Sequence, residues 1–228
     1  MGVDECYFAF YDHPELLHAA MKRMTDATIA GIEDANRLQL HNDNANLCHC
    51  SHIFTDELLP GSGMGRGPLS QNCWCLGLAQ LMTAVSPAVF EEFELPYISR
   101  MAEYFGAIYY GCCDRLDDRL DLVKRIPNVR KISCSPWSDR ESFAAQVGRN
   151  FVMSAKPTPA FLADASMDEA VIRRDLEEYC TLAKRYHLSI EFLLKDVSTV
   201  RNDPARLARW AEIAMDVANI HAQTPEFA

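Results

Sequence analysis

The chain has 228 residues, of which 49% are hydrophobic and 24% are charged, and it carries a formal net charge of -10 at pH 7. This composition is typical of a globular protein and argues against a disordered one. The acidic balance disfavours nucleic acid as a partner, because binding phosphate groups requires clustered lysine and arginine. We expect a small-molecule substrate or a protein partner instead.

The sequence predicts a cytoplasmic protein without a membrane anchor. No stretch approaches the ~18 consecutive apolar residues of a membrane-spanning helix. Asp4 and Glu5 near the N-terminus are unlike the basic start of a secretory signal. The nine cysteines are odd in number and lie partly in apolar segments. This pattern favours free thiols in a reducing compartment over a disulfide framework.

Residues 1–72 are predicted to contain one long helix followed by a long irregular loop. An N-cap acceptor at Asp12 and a first-turn proline at Pro14 precede apolar residues at helical spacing, which predicts a helix over 14–38. Glycines and prolines within 42–71 predict the loop. Residues 46–54 are the one part of this region that could supply a strand.

Residues 73–228 are predicted to be a region of repeated β-α units. Within it, a helix that begins after Ser86 and is interrupted by Pro96 comes before the first predicted strand. Apolar strand-like runs alternate with amphipathic helical patterns. The predicted strands cover 107–112, 129–135, 151–155 and 188–194, and the predicted helices cover 114–125, 139–147, 167–186 and 204–221. Capping boxes are expected at Ser138 and Ser166.

Successive β-α units predict an α/β fold with a parallel sheet and outer helices. Four or five units are fewer than the eight of a closed barrel, so we predict a partial TIM-type (β/α) barrel in a single domain over 1–228. An open doubly wound sheet is the alternative. Uncovered sheet edges would invite pairing, so we also expect a homo-oligomer.

Polar side chains follow or end the predicted strands, at the edge where parallel α/β folds place their pockets. We therefore predict one shared site. Its candidate catalytic residues are Cys112, Asp114, Lys156, Glu191 and Lys195, and its candidate substrate-binding residues are Tyr110, Trp137, Asp196 and His49.

Each candidate also has a structural explanation. Cys112 and its neighbour Cys113 could be small buried apolar residues, and Asp114 could be the N-cap of the next helix. Lys156 or Lys195 could form an internal ion pair with Glu191 or Asp196. Trp137 could belong to the core.

The densest group of metal-binding residue types is Cys48-His49-Cys50-Ser51-His52. Cys73 and Cys75 lie close enough in sequence to complete a four-cysteine zinc site with Cys48 and Cys50. The alternative is an apolar strand with a histidine that faces a pocket.

The order of several moderate motifs resembles the uroporphyrinogen decarboxylase superfamily, which includes the corrinoid-dependent methyltransferases. The resemblance covers most of the chain but only the later part of the family's barrel. The motifs that carry it are Gly2-Val3-Asp4, Pro14-Glu15-Leu16, Ser86-Pro87-Ala88-Val89-Phe90-Glu91-Glu92-Phe93 with Pro96-Tyr97, Tyr110-Gly111-Cys112-Cys113-Asp114, Ser135-Pro136-Trp137, Ser154-Ala155-Lys156-Pro157-Thr158-Pro159 and Lys195-Asp196-Val197-Ser198-Thr199-Val200-Arg201.

The resemblance implies an enzyme of methyltransferase type that acts on a small methylated or carboxylated compound. Family methyltransferases bind zinc through a His-x-Cys pair and a later cysteine, and here Cys112 matches the first cysteine. Tyr110 stands where that histidine would be, and Lys195 stands near the later cysteine. Zinc at Cys112 and a corrinoid carrier protein are thus the cofactor and partner that the family suggests. The alternatives are a metal-independent decarboxylase of a small acid or tetrapyrrole, and a non-catalytic binding or assembly module.

Overall fold

The computed structural model describes residues 2–41, 47–53, 55–58 and 69–222. The chain divides into two units. The first comprises residues 1–114 and 118–130, and the second comprises residues 115–117 and 131–228. The predicted glycine-rich loop at 61–67 lies outside the described residues.

The first unit begins with two helices, α1 (Val3–Asp12) and α2 (Pro14–Leu38). The predicted bounds of α2 are confirmed. The predicted cap is wrong, because Asp12 is the last residue of α1 and His13 occupies the N-cap of α2. Helix α1 was not predicted at all.

The segment that follows Ser86 forms two helices, α3 (Pro87–Phe93) and α4 (Leu95–Ala102), which are separated at Glu94. The Ser86 hydroxyl accepts a hydrogen bond from the Val89 amide, as expected of an N-cap. The break agrees with Pro96, which lacks the amide hydrogen that a continuous helix would use.

Among the described residues, four short strands lie wholly in the first unit. Strands β1 (Leu47–Cys48) and β2 (Ser51–His52) form a separate antiparallel pair, so the strand expected within 46–54 does not join the main sheet. Strand β3 (Trp74–Gly77), which was not predicted, pairs in parallel with β4 (Ala107–Tyr110).

The helix predicted over 114–125 is largely absent, and only α5 (Leu120–Val123) forms there. Aspartate side chains that accept amide hydrogen bonds favour turns over helix interiors. The Asp114 carboxylate accepts such a bond from the Cys112 amide at 2.8 Å. Asp114 therefore closes a turn after β4 and does not cap a helix.

Strand β5 (Val129–Cys134) has its first two residues in the first unit and continues in the second. In the second unit it pairs in parallel with β6 (Val152–Ala155), which pairs in parallel with β7 (Ser189–Phe192). The strand order of the five-stranded sheet is β3-β4-β5-β6-β7.

Four helices accompany these strands: α6 (Arg140–Val147), α7 (Ala160–Ala163), α8 (Glu169–Tyr186) and α9 (Ala205–Ala222). Helices α8 and α9 bury an apolar cluster of Leu162, Ile172, Leu176, Cys180, Trp210, Ile213, Ala214 and Val217. Ile190 and Phe192 of β7 pack against the same cluster, which fixes the face of the strand that points toward the helices.

The sequence misplaces both capping residues of the second unit by one or two positions. Asp139, not Ser138, caps α6 through a hydrogen bond from the Ser142 amide. Asp168, not Ser166, caps α8 and accepts from the Ala170 and Val171 amides. Aspartate and serine are both good caps, so residue type alone does not choose between neighbours.

The fold is therefore α/β, with a parallel sheet of five strands and surrounding helices. A complete TIM barrel is not formed by the elements described. None of the helices in the described part of the chain is both long and apolar enough to cross a bilayer.

Replacing Asp168 with alanine removes the two cap hydrogen bonds of α8, so we expect the free energy of unfolding to fall by about 1 kcal/mol. Ser166→Ala is the matched control, because Ser166 is exposed and precedes the cap by two residues. It should change stability by less than about 0.5 kcal/mol. Urea unfolding measures both, and equal losses would contradict the assignment of the cap.

Candidate functional site

The first unit places a buried tyrosine at the carboxyl end of β4. Tyr110 is fully buried, and its hydroxyl donates a hydrogen bond to Glu94 Oε1 at 3.1 Å. Gly77 pairs with Tyr110 across the two strands, and a Cβ on this glycine would lie 2.5 Å from the tyrosine ring. The absent side chain of Gly77 therefore makes room for the ring that reaches Glu94.

Glu94 is a buried carboxyl group that the sequence analysis missed. Burial raises its pKa to about 7, the nearby charge of Asp114 adds to this, and the hydrogen bond from Tyr110 opposes it. The group thus titrates near neutral pH, as the acid and base groups of active sites commonly do. The signal available in the sequence was a glutamate at a helix break two residues before Pro96.

Cys112 and Asp114 lie in the turn that follows Tyr110, and both are buried. The sulfur atoms of Cys112 and Cys113 are 3.6 Å apart. The two thiols are therefore neighbours, whereas adjacent residues of an extended strand would point to opposite faces. The difference arises because β4 ends at Tyr110 and Gly111 adopts a φ of 91°, which turns the chain before the cysteines.

Buried Arg119 lies near this group. Its guanidinium donates to the backbone carbonyls of Met82 at 2.6 Å and Val85 at 2.9 Å, and it pairs with the Asp118 carboxylate at 2.9 Å. Its positive charge lowers the pKa of Tyr110, while burial and the Glu94 and Asp114 charges raise it more. The guanidinium thus binds two backbone carbonyls and lies over the Phe90 ring, 5.5 Å from its centroid.

The proposed cysteine ligands do not assemble into a zinc site. Cys48 packs with Ile53 and Tyr109 in an apolar cluster, and the Cys73 thiol donates to the Leu69 carbonyl. Burial is the main cause that raises the pKa of Cys75 to about 12, with a further contribution from Cys48.

No group of three histidine, cysteine, aspartate or glutamate residues suited to a metal occurs in the described ranges, either here or around Cys112. His49 is exposed in the turn between β1 and β2, with a φ of 57°, so it does not face a pocket. The residues present therefore do not fit the zinc set of the family methyltransferases. No disulfide joins any of the nine cysteines, all of which lie in the described ranges, as predicted.

The second unit brings together polar side chains on one face of its strands. Ser133, Ser154 and Glu191 occupy the same position in register on β5, β6 and β7. Residues two apart on a strand share a face, so Lys131 and Lys156 extend this row at either end. We call this set the polar face; it consists of Lys131, Ser133, Ser154, Lys156 and Glu191.

Glu191 is the centre of the polar face. Its Oε2 forms an ion pair with Lys131 Nζ at 2.8 Å, and its Oε1 accepts a hydrogen bond from the Ser154 hydroxyl at 2.6 Å. The sequence offered Lys156 or Lys195 as the partner of Glu191, whereas the partner is Lys131, which was not predicted as a site residue. Lys131 follows the exposed Arg130, so strand alternation places its side chain on the inner face.

Lys156 is fully buried at the end of the polar face. Its ammonium group donates to the Ser133 hydroxyl, and its backbone carbonyl accepts from the Tyr179 hydroxyl at 3.5 Å. Lys156 directly follows the last residue of β6 and lies inside the protein, while its catalytic role stays a prediction. A fully buried ammonium group is rare and commonly reflects a specific use.

The remaining predicted residues lie further from this group. Lys195 pairs with the adjacent Asp196 at 3.5 Å, which was the structural alternative. Asp196 has an exposed side chain and a φ of 56°. Trp137 is 75% exposed, so it is neither a core residue nor a buried pocket wall. It follows a tight turn in which its amide donates to the Ser135 hydroxyl.

An open cleft of about 440 Å³ lies elsewhere in the second unit, around the start of α8. Its lining contains none of the predicted site residues and consists of Phe161, Asp164, Ala165, Ser166, Asp168 and Val171.

The sequence matches no protein-family model and no curated protein. What the site does must therefore follow from the chemistry of its own residues.

Glu94→Gln should change how stability depends on pH. Folded Glu94 keeps a proton that the unfolded chain releases above its ordinary pKa of 4.5, so the free energy of unfolding falls as pH rises from 4.5 to about 7. The free energy of unfolding of the variant does not fall in this pH range for this reason. It should match the parent protein at pH 4 and exceed it at pH 8 by on the order of 3 kcal/mol, measured by urea unfolding.

Tyr110→Phe serves as the companion variant. The tyrosine hydroxyl lowers the pKa of Glu94, so its removal should extend the pH interval of falling stability above 7. A stability difference between Glu94→Gln and the parent protein that stays constant from pH 4 to pH 8 would show that Glu94 is not held protonated by burial.

Proposed function

We propose that this chain is a uroporphyrinogen-decarboxylase-like enzyme that removes CO₂ from a small carboxylated compound without a metal ion. The observation that carries this proposal is the polar face, where two buried lysines lie beside two serine hydroxyls and one glutamate. We further propose that the five-stranded sheet is part of a (β/α) barrel, with the polar face toward its interior.

The charges of the polar face favour a carboxylate as ligand. Lys131 and Lys156 contribute two positive charges against one negative charge on Glu191, so the face itself is positive. A buried ammonium group interacts strongly with an anion because little water screens it. The hydroxyls of Ser133 and Ser154 add neutral hydrogen-bonding groups between the charges.

Decarboxylation fits such a face. The bond between the carboxylate carbon and its neighbour breaks, CO₂ leaves, and the electron pair remains on the neighbouring carbon until that carbon takes a proton. The substrate itself must carry a group that delocalises this pair. Lys156 is the proposed proton donor, and Ser133 is the residue that orients its ammonium group.

The loss of charge also favours turnover. A substrate carboxylate is attracted to Lys156 and Lys131, whereas CO₂ is neutral and keeps none of that attraction. The ion pair with Glu191 holds Lys131 in place when the anion departs. The polar face therefore attracts the substrate carboxylate more strongly than it attracts the released CO₂.

Zinc-dependent methyl transfer, the other activity suggested by the resemblance, receives no support from the donor set around Cys112. A corrinoid carrier protein would accompany methyl transfer, so this partner stays a prediction for that activity alone. A homo-oligomer and a cytoplasmic location stay predictions under either activity.

The test is release of labelled CO₂ from carboxyl-labelled acids, including short-chain acids and a carboxylated tetrapyrrole. Lys156→Met should lower the rate for the active compound by about 100-fold or more, because it removes both charge and proton donor. Ser133→Ala should lower it less, since only the orientation of the ammonium group is lost.

Lys22→Met is the matched control, because Lys22 is an exposed residue of α2 that pairs with Asp26 at the surface. It should leave the rate unchanged. Circular dichroism confirms folding of each variant. If no acid loses CO₂, or if Lys156→Met and Ser133→Ala both retain the full rate, the decarboxylase proposal is wrong and a non-catalytic module becomes the better explanation.

A further inference from the structure

Asp117 holds one carboxylate oxygen buried without a partner. Its side chain is 8% exposed. Its Oδ2 accepts hydrogen bonds from the Asp139 amide at 3.2 Å and from Arg115 Nε at 2.9 Å. Its Oδ1 is buried, and no group in the described part of the chain hydrogen bonds to it. A buried acceptor left unpaired is costly, so a ligand donor is the natural partner for Oδ1.

Ser138 presents a second such atom in the segment whose Asp139 amide binds Asp117. Ser138 immediately precedes Asp139, whose amide binds Asp117. Its own amide donates to the Ser135 carbonyl, which fixes the turn after β5. Its hydroxyl oxygen is buried, and it too makes no hydrogen bond of normal geometry among the residues described. Asp117 Oδ1 and Ser138 Oγ are thus two buried oxygen atoms without a hydrogen bond of normal geometry among the residues described, and the Ser138 hydroxyl also lies close enough to the Cys134 thiol to lower the pKa of that thiol.

Cys134, the last residue of β5, links these atoms to the polar face. Burial is the main cause that raises the pKa of Cys134 to about 12; the Asp117 charge raises it further, while Arg140, Lys156 and the Ser138 hydroxyl lower it. The Lys156 amide donates to the Cys134 carbonyl at 3.1 Å, and the turn that carries Ser138 begins at the next residue, Ser135. The backbone thus places Ser138, and the Asp139 amide that binds Asp117, within a few residues of the strand end that lies beside Lys156.

We propose that Asp117 and Ser138 bind the protonated amino group of the substrate, so that the compound acted on is an amino acid that also carries the electron-delocalising group that decarboxylation requires. This inference rests on the proposed function, since Lys156 would hold the carboxylate of the same molecule. An ammonium group carries three donors and no acceptor, which suits two unpaired acceptor oxygens. The carboxylate of Asp117 repels an anion at this position and attracts a cation.

Asp117→Asn makes a sharp test because its orientation is fixed. The Asp139 amide and Arg115 both donate to the Oδ2 position, so the asparagine carbonyl should occupy it. The amide NH₂ would then replace Oδ1 and point a donor at the ammonium group. The variant keeps its shape, loses its charge and turns an acceptor into a donor.

The experiment compares acids with and without an amino group, by calorimetry or ligand-observed NMR on the full chain. The probe pairs are acetate and glycine, propionate and β-alanine, and butyrate and 4-aminobutyrate, which differ in the separation of the two groups. In at least one pair the amino acid should bind about tenfold or more tightly than the plain acid. Asp117→Asn should abolish that preference without changing the affinity of the plain acid.

Ser138→Ala should reduce the preference by a smaller factor. Asp164→Asn, at an exposed aspartate of the same unit, is the matched control and should leave the preference intact. Ethylamine, which has no carboxylate, separates the two proposals. If its binding requires Asp117 while acid binding is indifferent to Lys156, the amino-group site stands and the proposed function fails.

Two outcomes overturn the inference. Equal affinities within all three pairs, with acid binding still lost in Lys156→Met, leave the proposed function standing and show that the two oxygens hold only water. A preference for the amino acid that survives Asp117→Asn also overturns it. If neither acids nor ethylamine bind, the inference and the carboxylate site on which it rests are both wrong.

Discussion

The second unit depends on the register that sets its strands beside one another. Ile190 and Phe192 pack into the apolar cluster of α8 and α9, so the alternating residues of β7 must point the other way. Glu191 is therefore forced onto the face that it shares with Ser133 and Ser154. A slip of one residue would exchange the apolar and polar sets, and the ion pair with Lys131 would be lost.

Burying the charged side chains of the polar face costs free energy. An ammonium group transferred from water into a protein interior loses several kcal/mol of solvation, and an ion pair often does no more than offset this. The ion pair with Glu191 offsets part of the lost solvation of Lys131, and the hydrogen bond to Ser133 offsets part of that of Lys156. Apolar residues of similar volume would satisfy the same space with less loss. Such a cost is characteristic of positions kept for binding or chemistry rather than for stability.

Local patterns predicted much of the fold. Apolar periodicity was sufficient for α2, whose bounds agree with Pro14–Leu38. The helix expected from residue 114 failed because the Asp114 side chain satisfies a nearby amide and forms a turn. Strand β3 escaped prediction because four residues that end in glycine offer little alternation to detect.

The candidate site was predicted less completely, for a physical reason. The expectation that polar residues at strand ends form a site identifies Lys156, because this charged residue follows an apolar run. It cannot find Lys131, whose partner Glu191 lies 60 positions away in sequence. Nor can it find Glu94 or Asp117, which become unusual only once the folded chain removes water from them. Burial and pairing are properties of tertiary contacts, so the residues that define the chemistry here emerge only when distant segments meet.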